Sequence, residues 1–143
     1  MVYDPRSLGT PVYEALSELS LTHQKDKKRR TQHKSYAREL YTYISTWGLM
    51  RFKAEEITLQ GKQDYIGKKD IIEAYFKCLE KISGASGLSG ATGLNALKTI
   101  NTQTKKGMDL EGYLGLTGIG LAIAQEFSFW ANAVYHDISG EDN

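Results

Sequence analysis

Residues 31–57, TQHKSYARELYTYISTWGLMRFKAEEI, carry the clearest structural signal in this chain of 143 residues. Apolar side chains recur there at steps of three or four, which is the spacing of one face of an α-helix. The segment therefore predicts an amphipathic helix over residues 31–57. Gly48 lies inside it and leaves open either a kink or the close approach of another helix. The apolar stripe consists of Tyr36, Leu40, Tyr43, Trp47 and Met50, widened by Ile44, Leu49 and Phe52.

The same spacing predicts helices on both sides of this segment. Thr10 followed by Pro11 is typical of a helix start, and Asp70 is a candidate cap for a later helix. No stretch of the chain alternates between apolar and polar residues, so strands are not expected. The fold class is therefore predicted as all-α, a compact bundle of five to six helices in a single domain, 1–143. The other predicted helices span residues 11–23, 70–83, 94–104 and 111–138.

Three segments are expected to lie outside the helices: an irregular N-terminus at 1–10, the loop GASGLSGATG at 84–93, and a tail at 139–143. Four glycines in ten residues cannot sustain a helix, so 84–93 is predicted to be flexible. Neither this loop nor GLTGIG (115–120) has the glycine spacing of a phosphate-binding loop, and neither follows a predicted strand. A flexible loop and close helix packing are favoured over a nucleotide site.

The amino-acid composition of the chain is that of an ordinary globular protein. It has 41% hydrophobic and 24% charged residues and a net charge of +1, which is typical of a globular domain. A single cysteine, Cys78, excludes an internal disulfide and is expected to be a buried small residue. No apolar run approaches the ~20 residues that span a bilayer. We therefore expect an intracellular, cytoplasmic protein with no membrane contact.

No residue constellation points to catalysis or to a metal. His23, His33 and His136 form no metal-binding pair and are expected at the surface. We therefore expect no enzyme activity, no cofactor and no metal. Trp47 and Trp130 lie on apolar stripes and are predicted to anchor the core. Tyr41 is expected to be half-buried, with exposure for stacking on a base as the alternative.

Positive charge is concentrated in residues 24–38, QKDKKRRTQHKSYAR, which hold seven basic residues and one acidic residue, Asp26. Such a segment is either a solvated, partly disordered linker or a contact surface for a polyanion. It leads into an amphipathic helix, which favours a nucleic-acid contact that is sequence-independent and salt-dependent. Lys98, Lys105 and Lys106 offer a second, smaller patch. The candidate nucleic-acid-binding residues are Lys27, Lys28, Arg29, Arg30, Lys34, Arg38, Arg51 and Lys53.

Two segments resemble a known family. KSYARELYTYISTWGLMRF (34–52) and YLGLTGIGLAIAQEFSFWANAV (113–134) are similar to helices of the small helical subunit of type III-B CRISPR effector complexes, the fifth Cmr subunit. The resemblance implies a non-catalytic protein of antiviral defence. Its copies would stack head to tail into a minor filament, together with other CRISPR effector subunits. Basic faces would then contact target RNA, single-stranded or paired with crRNA.

The chain departs from the family at two places. Trp47 stands where a polar residue is expected, and loop 84–93 looks like an insertion, so a divergent branch or another type III small subunit stays open. The alternatives outside the family are a helical protein–protein adaptor with a basic partner-binding segment and a non-specific nucleic-acid-binding protein. A helix-turn-helix regulator is less favoured, because no short turn joins two compact helices.

Overall fold

The computed structural model describes Asp4 and residues 6–139, and these residues form five α-helices and one short 3₁₀ turn at Gln63–Tyr65. The prediction of an all-α bundle of five to six helices is confirmed. Within the described residues, no helix combines the length and the hydropathy that crossing a bilayer requires. The helices are α1 (Arg6–Thr22), α2 (Lys27–Thr58), α3 (Ile66–Ser83), α4 (Gly93–Leu97) and α5 (Leu110–Val134).

An aromatic cluster joins the three longest helices. The Phe52 ring of α2 lies 5.4 Å from the Tyr75 ring and 5.7 Å from the Phe76 ring of α3, measured between centroids. Tyr75 in turn lies 5.8 Å from Phe127 of α5, and its hydroxyl donates a 2.8 Å hydrogen bond to the Gly120 carbonyl. All four rings are fully buried. Because aromatic side chains bury large apolar areas, this cluster holds α2, α3 and α5 in fixed relative positions.

Helix α1 starts earlier than predicted. It begins at Arg6, so Thr10 is not its cap and Pro11 lies inside it. The carboxylate of Asp4 accepts a 3.0 Å hydrogen bond from the Arg6 backbone N–H, which satisfies a donor that the helix start would leave unpaired. The expectation of irregular structure at 1–10 is therefore wrong for residues 6–10. Residues 1–3 and 5 lie outside the described residues.

Helix α2 also starts early and bends in its middle. Asp26 caps it by accepting a 3.0 Å hydrogen bond from the Arg29 backbone N–H, so the one acidic residue of the basic segment begins the helix. Lys27 to Arg30 are thus helical. At Gly48 the backbone takes φ +87° and ψ 168°, which breaks the helical path. Glycine adopts this conformation without the steric cost of a Cβ, and Gly48 therefore marks a kink.

The later elements differ from prediction mainly at their ends. Helix α3 begins at Ile66, so Asp70 lies within it and is not its cap. Helix α4 ends at Leu97 and not near 104, because the backbone is extended at Lys98, and further on the Asn101 side chain accepts hydrogen bonds from the backbone N–H groups of residues 103 and 104. Such local bonds compete with helix formation. Helix α5 ends at Val134, and the chain continues in a turn.

The Gly/Ser-rich loop at 84–93, which is predicted to be flexible, packs against the body of the protein. Leu88 is fully buried. The Glu80 carboxylate accepts hydrogen bonds from the backbone N–H groups of Leu88 and Ser89, at 2.7 and 3.1 Å. Burial raises the pKa of Glu80, but the hydrogen bonds from the Ser89 hydroxyl and from these two N–H groups outweigh burial and lower it. A charged carboxylate therefore fixes this loop at its centre.

Candidate nucleic-acid interface

Arg29 faces a carboxylate of helix α3. Its guanidinium donates two hydrogen bonds to Asp70, from Nε at 2.7 Å and from Nη2 at 2.9 Å. Side-chain exposure is only 20% for Arg29 and 11% for Asp70. Bidentate pairing of this kind is geometrically specific and strong for an ion pair. The ion pair therefore holds α2 against α3, and the Arg29 guanidinium is already occupied by Asp70 and is not available to bind a phosphate.

Asp70 also accepts a hydrogen bond from His33. From the sequence, His33 is expected at the surface, but its side chain is fully buried. An ionised carboxylate only accepts, so the Nε2–H of His33 donates to Asp70 at 2.7 Å, and the Tyr135 hydroxyl forms a hydrogen bond with His33 Nδ1 at 2.9 Å. Burial opposes ionisation of Asp70, but the hydrogen bonds from His33 and Arg29 outweigh it and lower the pKa of Asp70 to about 2.

Arg30 and Lys34 bind the turn that follows helix α5. The Arg30 guanidinium donates to both carboxylate oxygens of Asp137, at 2.9 and 3.0 Å, and lies 5.3 Å from the centroid of the Tyr135 ring. The Lys34 ammonium donates to the Ile138 carbonyl at 2.7 Å. Arg30 is buried and Lys34 is half-buried. Two more of the predicted RNA contacts thus secure the C-terminal turn against α2.

Lys53 is fully buried, so it is not part of any surface. Its ammonium donates to Glu56 at 2.7 Å and to the Gly90 carbonyl at 2.9 Å, and it lies 3.8 Å from the centroid of the Phe76 ring. Burial lowers the pKa of Lys53, and the Glu56 carboxylate counters part of that effect. Lys53 therefore anchors loop 84–93, and its assignment as a nucleic-acid contact is wrong.

Four of the eight candidate cations remain exposed: Lys27, Lys28, Arg38 and Arg51. Within the described part of the chain, only Lys28 among them has a carboxylate within salt-bridge distance, Asp64 at 3.6 Å, and both partners are highly exposed. Exposed pairs of this kind contribute little to stability. Lys27 and Arg38 are three helical turns apart, about 16 Å, and so share one face of α2.

Two exposed aromatic side chains accompany these arginines. Trp47 is 51% exposed, which overturns its assignment as a core anchor, and the Arg51 guanidinium lies 5.5 Å from its ring centroid. Trp47 lies on the predicted apolar stripe, but at this position, directly before the kink at Gly48, the stripe is not covered. Tyr41 is 38% exposed, three residues after Arg38 on the same helix. Trp130 is half-buried and packs against the core.

The acidic partners were the residues that sequence reasoning missed. Asp70 and Asp137 lie 41 and 107 residues from the arginines they bind, and no local pattern links residues so far apart. Lys53 and Glu56 are three residues apart on one helix, and that spacing was visible. Of the second predicted patch, Lys105 and Lys106 are exposed in the segment between α4 and α5.

Comparison of the chain with protein-family models, curated protein sequences and solved structures gives no match.

Proposed function

We propose that this protein is a non-catalytic, RNA-binding structural subunit of a type III CRISPR ribonucleoprotein, stacking into its minor filament. The family assignment rests on the resemblance of residues 34–52 and 113–134. What supports it is that both segments are helical and in contact: the Met50 N–H donates to the Tyr113 hydroxyl at 3.0 Å, and Ser128 Oγ donates to the Arg38 carbonyl at 3.1 Å.

The observation that carries RNA binding is an exposed face of α2 that holds Lys27, Lys28 and Arg38, with the exposed Tyr41 three residues after Arg38. Guanidinium groups bind phosphate oxygens, and aromatic rings stack on unpaired bases of any sequence. These residues form a contact surface suited to single-stranded RNA, whereas Trp47 lies on the opposite side of α2, nine residues and about two and a half turns after Arg38. Such a surface has no base-reading pattern, so binding is expected to be sequence-independent.

The test is binding of fluorescent single-stranded RNA at several salt concentrations. The wild type should bind weakly, with an affinity that falls steeply as salt rises. The double variant Lys27→Glu with Arg38→Glu should bind at least about tenfold more weakly and lower the salt slope by about 2. Lys77→Glu with Lys81→Glu makes the same charge change at exposed positions of α3 and serves as the control. Equal losses in both variants would move the contact elsewhere, and no binding by the wild type at low salt would refute RNA binding.

Membership of a CRISPR complex needs its own measurement. Tagged protein expressed with its neighbouring genes should copurify with larger effector subunits and crRNA.

A second candidate function, a helical protein–protein adaptor, is favoured by the exposed apolar residues of α5, including Leu114 at 59% and Phe129 at 64% exposure. A stable protein partner without RNA binding would favour the adaptor.

A further inference from the structure

Helix α5 packs its inner side against α1, α2 and α3, and none of the described residues outside α5 forms an element that covers its outer face. The outer face extends over about 28 Å, at about 1.5 Å per residue. The charged residue within this stretch of α5 is Glu126, whose carboxylate accepts a hydrogen bond from Trp130 Nε1 at 3.1 Å and lies at the edge beside α1. The outer face of α5 consists of Leu114, Gly115, Gly118, Ala122, Gln125, Phe129, Asn132 and Ala133.

Large exposed side chains and small residues both occur along this outer face, so its surface is uneven. Phe129 is 64% exposed and Leu114 is 59% exposed. A Cβ atom added at Gly115 or at Gly118 would meet nothing within 4 Å, so the surface is open at these two positions. Phe129 is a projection near one end of the helix, and the two glycines form a notch toward the other end.

When a second copy of α5 is placed antiparallel against this face, the large residues of one copy lie opposite the small residues of the other. An antiparallel copy, with its two-fold axis between residues 123 and 124, brings each large side chain opposite a small residue. Phe129 then faces Gly118 of the other copy, Leu114 faces Ala133, and Gln125 faces Ala122. Asn132 faces Gly115 in the same way. A two-fold interface requires this reciprocal matching, since each contact occurs twice.

The polar residues at the two ends of the face follow the same relation. Glu111 is exposed in the first turn of α5, and His136 is exposed just after the helix. In the antiparallel pair, Glu111 of each copy lies at the end occupied by His136 of the other. A parallel pair would instead place Glu111 beside Glu111, which repel each other as like charges, and would leave no small residue opposite Phe129. Both effects favour the antiparallel arrangement.

We propose that the outer face of α5 binds a second copy of this chain, as an antiparallel two-fold dimer. The aromatic residues next to the face have the composition of a protein interface: the Trp130 ring lies 5.2 Å from Tyr13 and 5.0 Å from Phe129. One helix face is a small contact area. The dimer should therefore be reversible, with a dissociation constant on the order of micromolar.

This dimer goes beyond the proposed function and does not depend on it. Head-to-tail stacking uses two different surfaces of each copy and continues indefinitely, whereas a two-fold contact uses one surface twice and stops at two copies. The exposed cations of α2 do not belong to the outer face of α5. RNA binding and dimer formation can therefore fail independently.

The first test is analytical ultracentrifugation without RNA at protein concentrations from about 1 to 500 µM. The wild type should pass from monomer to dimer over this range. Phe129→Glu should weaken self-association at least about tenfold, because it removes the projection and adds a charge to the contact. Leu21→Glu is the matched control, since Leu21 is 72% exposed on α1 away from the face. A wild type that stays monomeric at the highest concentration, or equal behaviour of the two variants, overturns the proposal.

A second test determines the orientation. A spin label at Ala122 should lie about 10 Å from the same label on the other copy, whereas labels at Leu114 should lie about 30 Å apart. Burial raises the pKa of the Cys78 thiol to about 11, so cysteines introduced on the exposed face should label first. Wild-type protein treated in parallel checks this selectivity. Equal distances at the two sites would overturn the antiparallel arrangement.

Discussion

The cations of helix α2 and the outer face of helix α5 differ in what they contact. Half of the α2 candidates for RNA binding, Arg29, Arg30, Lys34 and Lys53, bind carboxylates or carbonyls inside the protein. The outer face of α5, by contrast, presents apolar side chains such as Phe129 to solvent, with no neighbouring helix of the described chain over it.

The difference shows that composition alone does not decide which residues are available for binding. A dense basic segment attracts acidic partners from its own chain as readily as from a polyanion, and internal partners are held at a high effective concentration. An apolar helix face is buried only if the fold has another element to cover it. In a five-helix bundle of this size, α5 is covered on its inner side and leaves about 28 Å of its outer face free.

The largest expected effect concerns the most deeply buried cation. Glu56→Ala removes the carboxylate that pairs with Lys53 and leaves a buried ammonium without its partner. We expect the free energy of unfolding in urea to fall by about 3 kcal/mol or more. Glu39→Ala, at an exposed position of the same helix, should change it by less than about 0.5 kcal/mol. If the two variants are equally stable, Lys53 is not held by this ion pair. Lys53→Met combined with Glu56→Leu should recover more than half of the loss, because no charge is then buried.

A smaller effect, with a defined pH dependence, is expected at the clamp between α2 and α3. Asp70→Asn should lower the free energy of unfolding by about 2 kcal/mol at pH 7, since the pKa of Asp70 lies below its ordinary value of 3.8, at about 2. The stability that ionised Asp70 contributes is fully present above about pH 4 and is lost as the pH falls toward 2. The gap between wild type and variant in urea titrations should therefore close over that interval.

The control for this clamp is Asp64→Asn, because Asp64 is 85% exposed and forms only a loose pair with Lys28. Its stability should follow that of the wild type at every pH. A gap for Asp70→Asn that stays constant from pH 5 to pH 2 would contradict the role of the ionised carboxylate.

The smallest effect is expected on the outer face of α5, where nothing in the fold depends on the side chains. Gly118→Ala should raise the free energy of unfolding of the monomer by about 0.5–1 kcal/mol, since alanine is the better helix former and its methyl group meets no neighbour. The same methyl group narrows the notch, so self-association should weaken. Gly48→Ala is the contrasting control: at φ +87° it should destabilise the protein. A Gly118→Ala variant less stable than wild type at low concentration would show that the outer face is already in contact with the protein.

The helices could be predicted from the sequence to a useful extent, because amphipathic spacing is a local property. All five were expected, and the ends of α2 and α5 were within four residues of the structure. The starts of α1 and α2 were less accurate than their ends, because Asp4 and Asp26 act as caps in segments where the sequence pattern pointed elsewhere. Trp47 lies on the predicted stripe, yet the kink at the next residue leaves the stripe uncovered at that point.

The sequence by itself determined that this chain is an all-α bundle with a basic segment in front of its longest helix, because helix periodicity and charge are properties of neighbouring residues. Only the tertiary structure decided which of those charges meet solvent. Arg29 finds Asp70 and Arg30 finds Asp137 across 41 and 107 residues, and such partners depend on how the helices pack. The QKDKKRRTQHKSYAR segment is therefore in large part an internal clamp, and the candidate cations that stay exposed are Lys27, Lys28, Arg38 and Arg51.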